Sequence, residues 1–249
     1  VVAPRLSGDE IVMLDVGQGD AFLVRSRGTA VLIDTGNQDR MLREALARHG
    51  AYRLDAVVIT HGDDDHKGSL ASLAGVVDVR RVLVAQDALS CGCEACGLRQ
   101  GDALQVGSFD LQAVWPERFS DEGGNADSLC LVADADIDGD GASDWRALFT
   151  GDAERDQLRA LIDEGLVDSV DLYKVGHHGS KNALDDEEAA VLSPRIALVS
   201  AGARNRYGHP AQDTLDRLEA AGARVFRTDE QGDVSCKLTV DRIEVETLR

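Results

Sequence analysis

Six consecutive residues, His61-Gly-Asp63-Asp-Asp65-His66, crowd imidazoles and carboxylates onto one short stretch at the end of an apolar run, Ala56-Val-Val-Ile-Thr60. Side chains of these types placed so close repel one another or forfeit hydration unless a cation organises them, and the mixed nitrogen and oxygen donor set suits a divalent metal. Alternate residues on a tight loop converge on one point while the adjacent pair Asp65 and His66 reaches a neighbouring one, so the spacing admits two ions. The plain reading of the same residues is a solvated acidic turn in which Asp65 caps a helix starting near Lys67. Two further runs weigh against that reading. Ala147-Leu-Phe-Thr-Gly151-Asp152 ends in an isolated Asp, and Asp171-Leu-Tyr-Lys174-Val-Gly-His177-His178 ends in a His pair. Three strand-like runs thus deliver metal-type residues at their C-terminal ends, where open α/β sheets build their sites.

The elements that must position these groups alternate along the chain. Strand patterns occur at Ile11–Leu14, Ala21–Arg25, Ala30–Ile33, Ala56–Ile59 and Val82–Val84, with helical patterns at Gln38–His49 and Ser69–Leu73. The second half repeats the theme. Helices are expected at Glu154–Ile162, Ala183–Leu192 and Ala211–Ala221, and strands at Leu172–Val175, Ile196–Val199, Val225–Arg227 and Val234–Val240. This is an α/β chain, and periodicity permits two β-rich halves with helices on their outer faces. With 249 residues and 43% hydrophobic content it can bury a substantial core, and nothing resembling a long low-complexity linker divides it. A single domain over residues 1–249 is expected.

Taken together the metal-type residues resemble the metallo-β-lactamase superfamily, whose signature is H-x-H-x-D-H followed by a separate Asp and a late His. Outside that motif the blocks Leu14-Asp-Val-Gly-Gln-Gly-Asp20, Val31-Leu-Ile-Asp34-Thr-Gly36, His177-His-Gly-Ser180 and Asn205-Arg-Tyr-Gly-His-Pro210 are similar to the hydrolase domain of ComEC-type DNA-uptake proteins, in matching order from about Ile11 to Val234. The resemblance implies a metallo-β-lactamase-like αβ/βα four-layer sandwich holding two divalent ions, manganese or zinc. It implies His61 and Asp63 on one metal, Asp65 and His66 on the other, Asp152 bridging them, and one of the His pair completing the second. If residues 177 and 178 are extended, consecutive side chains point opposite ways and only one can readily face the metals; the sequence does not decide which, and His178 is taken as the ligand, leaving His177 for a phosphate contact or a hydrogen bond. Asp63 stands where the wider superfamily has its second His, and no His takes the place of the superfamily's middle ligand, where the Asn125 to Leu129 segment falls; the first metal is therefore expected to be weakly held.

Around the metals, Asp65 is expected to orient the nucleophilic water as well as to bind metal, and His209 to pass a proton to the leaving oxygen. The plain alternative for His209 is a loop imidazole that caps local structure. Asn125, Ser128, Ser180, Lys181 and Asn205 are candidate substrate contacts, although Lys181 reads equally well as a solvated lysine at a helix start. Asp15, Gln18 and Asp20 are assigned structural duties, and Asp34 a supporting position behind the metal loop.

The acidic run Asp134-Ala-Asp-Ile-Asp-Gly-Asp-Gly141 starts like a calcium loop, with Asp136, Asp138 and Asp140 in ligand positions. Ala147 stands where a bidentate Glu belongs, and the competing reading is a hydrated hairpin tip. Five cysteines include Cys91, Cys93 and Cys96 in one loop, which admits a local disulfide or a partial zinc site; Cys130 reads as a buried, inert thiol.

A formal net charge of −19 excludes broad counterion-releasing DNA binding of the kind a basic surface gives. Bound divalent ions and a local patch from Lys174, Lys181, Arg204 and Arg206 would offset it only near the site. No apolar stretch approaches the length of a membrane span and no signal-peptide pattern opens the chain, which lacks an initiator Met. A soluble domain is expected, either of a membrane channel protein and on its exported face, or cytoplasmic if it stands alone.

The leading reading is a metal-dependent phosphodiesterase acting on single-stranded DNA during competence-type uptake, partnered by a membrane channel domain. Two rivals stand beside it. One keeps the metals and hydrolyses a non-nucleic-acid ester such as a phosphorylcholine ester, thioester or lactam. The other is a catalytically silent domain that binds DNA or a channel partner.

Overall fold

The computed structural model describes residues 8–85, 95–119 and 124–249. Two sheets face each other. The first runs, edge to edge, Ile243–Thr247, Val234–Leu238, Asp9–Met13, Phe22–Ser26, Thr29–Ile33, Ala56–Ile59, Val82–Ala85 and Ala95–Leu98, antiparallel up to Thr29–Ile33 and parallel beyond it. The second runs Arg224–Arg227, Ile196–Val199, Leu172–Lys174, Trp145–Phe149, Cys130–Ala135, Phe109–Trp115 and Ala103–Val106, with its first four strands parallel.

The alternation of apolar side chains explains the layering. Ile11, Met13, Phe22, Val24, Val31 and Ile33 point to the opposing sheet and pack with Phe109, Leu111, Leu131, Ala147 and Phe149, where the Phe22 and Phe149 rings meet edge to face at 5.6 Å. Val12, Leu23 and Leu32 between them, with Val57 and Ile59, point the other way and bury Leu42, Ala45 and Leu46 of the helix Asp39–Arg48. On the far side Val132, Leu148, Tyr173, Ala197 and Val199 cover Leu158, Leu161, Leu192, Leu215 and Leu218 of the helices Arg155–Asp163, Asp186–Leu192 and Gln212–Ala220. Both faces of each sheet are buried, giving the expected αβ/βα sandwich.

Local differences from expectation have local causes. The helix expected from Ala183 starts at Asp186, because Asp185 accepts the Glu187 amide at 2.9 Å while Glu188 accepts that of Asp185 at 2.8 Å, a capping box that fixes the first turn. Ser69–Leu73 forms a 3-10 turn over Leu70–Leu73. The expected strand Val234–Val240 stops at Leu238 and returns as Ile243–Thr247. The acidic run forms the tip between Cys130–Ala135 and Trp145–Phe149, as the hairpin reading has it. There the carboxylates serve the backbone: Asp136 accepts the Gly139 and Gly141 amides, Asp138 that of Asp140, and Asp140 that of Ala142. Asp144, not Asp140, converges with Asp136 and Asp138. The expected calcium triad is thereby corrected, since the Asp140 carboxylate is turned to its own loop. Cys130 is fully buried, and burial pushes its thiol up to about 12. Cys91, Cys93 and the Cys96 side chain lie outside the described residues.

Asp233 ties the loop after Asp9–Met13 to the rest of the sheet. Its buried carboxylate accepts the Asp15 amide at 2.8 Å and both Arg48 and His49 side chains at 2.9–3.0 Å. Burial alone would raise its pKa, but His49 and Arg48 outweigh it and hold the carboxyl at about 2. A depressed folded-state pKa contributes stability above the unfolded value near 4 that disappears as pH falls towards 2. The expected result for Asp233→Asn is a deficit of at most about 2 kcal/mol in urea unfolding at pH 6 that shrinks towards zero between pH 4 and pH 2.

A candidate dinuclear metal centre

The loops that leave the C-terminal ends of four strands, one from the first sheet and three from the second, meet at one edge of the sandwich. Ala56–Ile59 leads into Thr60 and His61; Trp145–Phe149 into Asp152; Leu172–Lys174 into His177 and His178; Ile196–Val199 into Ser200. Asp152 lies at their centre. Its Oδ1 is 3.1 Å from His66 Nε2, and its Oδ2 is 4.0 Å from His61 Nε2, 3.6 Å from His178 Nε2 and 3.9 Å from His177 Nε2. Asp63 Oδ2 reaches His61 Nε2 at 3.7 Å and Asp65 Oδ2 reaches His178 Nε2 at 3.4 Å. Overlapping donor groups result, among them His61, His66 and Asp152, and Asp65, His66 and His178.

The donors suit a cation. His61 Nε2, His66 Nε2, His178 Nε2 and Asp152 Oδ1 are buried, and no hydrogen bond satisfies them among the described residues. Buried polar atoms left in that state are expensive unless an ion binds them. Their other ring nitrogens are already held: His66 Nδ1 by Asp34 at 2.8 Å, His178 Nδ1 by the Ser200 carbonyl at 3.0 Å, His61 Nδ1 by the Thr60 hydroxyl at 3.2 Å. Every Nε2 is thus aimed inward by a partner behind it, the arrangement that metal-binding histidines use.

The backbone that achieves this is tightly constrained. The metal loop turns into one helical turn, Asp64–Lys67, with Asp63 extended at its N-cap; Asp65 is therefore not the cap of a later helix. Asp34, with φ +59°, accepts the Thr60 amide and hydroxyl at 2.8 and 2.7 Å and so clamps the start of the loop besides holding His66. The first loop lies directly against the metal loop, where the Asp20 amide donates to the Asp65 carbonyl at 3.0 Å. Gly19 (φ +130°) makes this approach feasible, because a Cβ there would stand 2.4 Å from that carbonyl.

His177 and His178 are not extended. Both occupy the left-handed region (φ 46° and 54°) within a 3-10 turn, so both line the cavity. Their duties still differ. His178 is buried with Nε2 among the donors, whereas His177 is 29% exposed with Nδ1 on Glu154 Oε1 at 2.8 Å and beside the Asn125 amide at 3.2 Å. His209 lines the same cavity; its ring is 5.2 Å from that of His177 and its Nδ1 has no partner among the described residues.

Of the candidate substrate contacts, Asn125 lines the cavity and the others do not. Ser128 is buried and its hydroxyl accepts the Asp152 amide at 3.0 Å. Ser180 donates to Glu154 at 2.6 Å. Asn205 spends both ends of its amide on the Gly202 and His209 carbonyls and the Tyr207 and His209 amides. Lys181 is exposed beside the site, away from the lining. The first three polar side chains are consumed in shaping loops, which correct spacing on a motif does not disclose.

Lys174 is the largest departure. Expected in a surface patch, it is 2% exposed, donates to the Gly151 carbonyl, pairs with Asp20 and lies 3.7 Å from Asp152 Oδ1. Asp20, expected to be structural, faces His178 Nδ1 at 3.2 Å and His66 Nδ1 at 3.8 Å. A lysine within the apolar run Leu172–Val175 was the visible sign of a buried cation. Burial opposes the charged forms here, yet Lys174, His178 and His66 hold Asp20 low, and His66, His178 and Lys174 hold Asp152 well below the carboxylate range. Conversely, the carboxylates Asp152 and Asp20 overcome burial and raise His178 to about 9.

Fold and site define a class. The metallo-beta-lactamase superfamily model matches residues 14–91, so this is a domain of the metallo-beta-lactamase type. The metallo-beta-lactamase fold protein YhfI from Bacillus subtilis superposes with a TM-score of 0.56 at 14% identity, covering 88% of this chain and 96% of that one.

Within the class the similarity is to competence proteins, consistent with the ComEC type. ComE operon protein 3 of Bacillus subtilis is 31% identical over 94% of this chain and 34% of its own length. Competence protein ComA of Neisseria gonorrhoeae is 28% identical over 96% of this chain and 34% of its own. The chain thus spans about a third of these relatives. Among the described residues no helix is long and apolar enough to cross a membrane.

Proposed function

We propose that this domain is a metal-dependent phosphodiesterase that cleaves single-stranded DNA as the hydrolase part of a competence-type uptake protein, working beside a membrane channel domain. The observation that carries the proposal is the placement of Asp152 among three inward-aimed, unsatisfied imidazoles in a chain whose relatives are competence proteins. His61, Asp63 and Asp152 would hold one ion, and Asp65, His66, His178 and Asp152 the other. Asp63 in place of an imidazole hardens the first position, which favours manganese as much as zinc. Divalent ions, when bound, supply Lewis acidity and an activated water.

The chain's own groups do the rest. Asp65, at the cavity face, orients the attacking water; His177, fixed by Glu154, contacts the phosphate; and His209, which lines the cavity, gives a proton to the leaving oxygen. Burial and the neighbouring His177 and His178 lower the His209 pKa, so the ring is mainly neutral near neutral pH and the protonated form that donates gains population as pH falls.

Labelled oligothymidylate with manganese should be cut by the wild type, and both EDTA and the pair Asp65→Ala with His66→Ala should abolish cutting. Equal product from wild type and double variant across a manganese titration would sink the proposal. The net charge of −19 favours a second reading, hydrolysis of a neutral or zwitterionic ester. Turnover of nitrocefin or a thioester exceeding that of bis-p-nitrophenyl phosphate would favour it instead.

A further inference from the structure

The cavity is walled by acidic and imidazole groups, yet its rim carries a large apolar face. Tyr207 is 62% exposed, lines the cavity, and lies nearly parallel to His209 at 5.9 Å and 28°. His209 in turn meets His177 at 5.2 Å, and His177 Nε2 is 3.9 Å from Asp152. A file of three rings therefore leads from the metal-type donors to solvent. The loop that presents Tyr207 is held rather than slack: Asn205 Oδ1 accepts the Tyr207 and His209 amides at 3.1 Å each, its Nδ2 donates to the Gly202 and His209 carbonyls, and the Gly202 amide donates to Gln18 Oε1 at 3.1 Å. Arg204 and Arg206 are exposed on the same loop.

An aromatic face kept open at the end of a fixed loop forgoes the burial that apolar surface normally gains, and two cations beside it lower the cost of bringing up a phosphodiester in a strongly anionic chain. We propose that Tyr207 is a stacking platform for one unpaired nucleobase next to the scissile phosphate, with Arg204 and Arg206 receiving the flanking backbone. The inference rests on the phosphodiesterase reading above and deepens it: the platform accepts any base with an open π-face and rejects bases still stacked inside a duplex.

The test compares a single-stranded oligothymidylate with the same backbone carrying abasic residues, both with manganese. The wild type should prefer the base-bearing strand by about tenfold in kcat/KM, chiefly through KM, in line with the stacking contribution of one base. Tyr207→Ala should bring that preference down to about one. Tyr207→Trp and Tyr207→Phe should keep it, because the ring and not the hydroxyl is used. A preference that survives Tyr207→Ala, or a wild type that cuts both strands equally well, would overturn the platform while leaving the phosphodiesterase reading intact. A wild type that cuts neither strand would remove both.

Discussion

Asp152→Asn is expected to lose the dinuclear centre while keeping the fold. The substitution is isosteric, and the backbone amide that Ser128 accepts at 3.0 Å is unchanged, so the loop stays anchored. What disappears is a carboxylate within 3.1 to 4.0 Å of the His61, His66, His177 and His178 rings. Metal affinity should fall by roughly 100-fold or more, beyond what removal of a supporting partner usually costs. Hydrolysis should fall on the order of a thousandfold, the equivalent of the several kcal/mol that metal ions contribute to the transition state. Titration calorimetry and elemental analysis read the stoichiometry, which should drop from two ions to one or none. A variant that still binds two ions and turns over would show that the donors meet for another reason. The ion beside His61 leans on Asp63, which is exposed, and on Asp152, so it should be the first to be lost when Asp152 is changed.

Lys174→Met is expected to cost the metal-free protein about 3–5 kcal/mol, the usual consequence of removing one member of a buried ion pair. For a chain of this size that is a fall of roughly 10 °C in Tm. The cause is Asp20, 1% exposed and paired with Lys174 in the interior. Adding Asp20→Asn should restore most of the loss, because the pair is then replaced as a unit. Thermal and urea unfolding of the two single variants and the double variant complete the cycle; additive losses would mean that the pair is not coupled. The same ammonium bears on the metals. The carboxylates of Asp20, Asp34, Asp63, Asp65 and Asp152 gather around the centre, and Lys174 together with two divalent ions, when bound, would balance them. Asp20 also converges with Asp152 and His178 closely enough to hold an ion itself, and the ammonium beside it takes that part with a fixed charge.

Much of this was readable along the chain because the signals were local. The runs Ala56–Ile59 and Leu172–Lys174 each end in donors within a few residues, and period-two alternation identified the strands that now carry both cores. Asp34 was placed behind the metal loop by its motif, and it does hold His66. Signals failed where a side chain's duty depends on what the fold brings opposite it. Ser128, Ser180 and Asn205 have the right types for substrate contact but are spent on Asp152, Glu154 and their own loop. Lys174 was assigned to the surface from its charge, although its apolar neighbours in the strand pointed inward. The strands Ala103–Val106 and Phe109–Trp115 lacked a motif to mark them and emerged only as part of the second sheet.

The sequence by itself marked most of the candidate donors, their order and the strands that deliver them, because metal chemistry restricts residue types and β-structure imposes a period of two. Only the tertiary structure decided how those donors share their work. That Asp152 is central, that both His177 and His178 enter the cavity through left-handed backbone, and that Asp20 and Lys174 form the interior ion pair beneath them follow from contacts between segments far apart in the chain. Spacing along one strand restricts where a side chain points. The distance to a partner on another strand is set when the sheets pack.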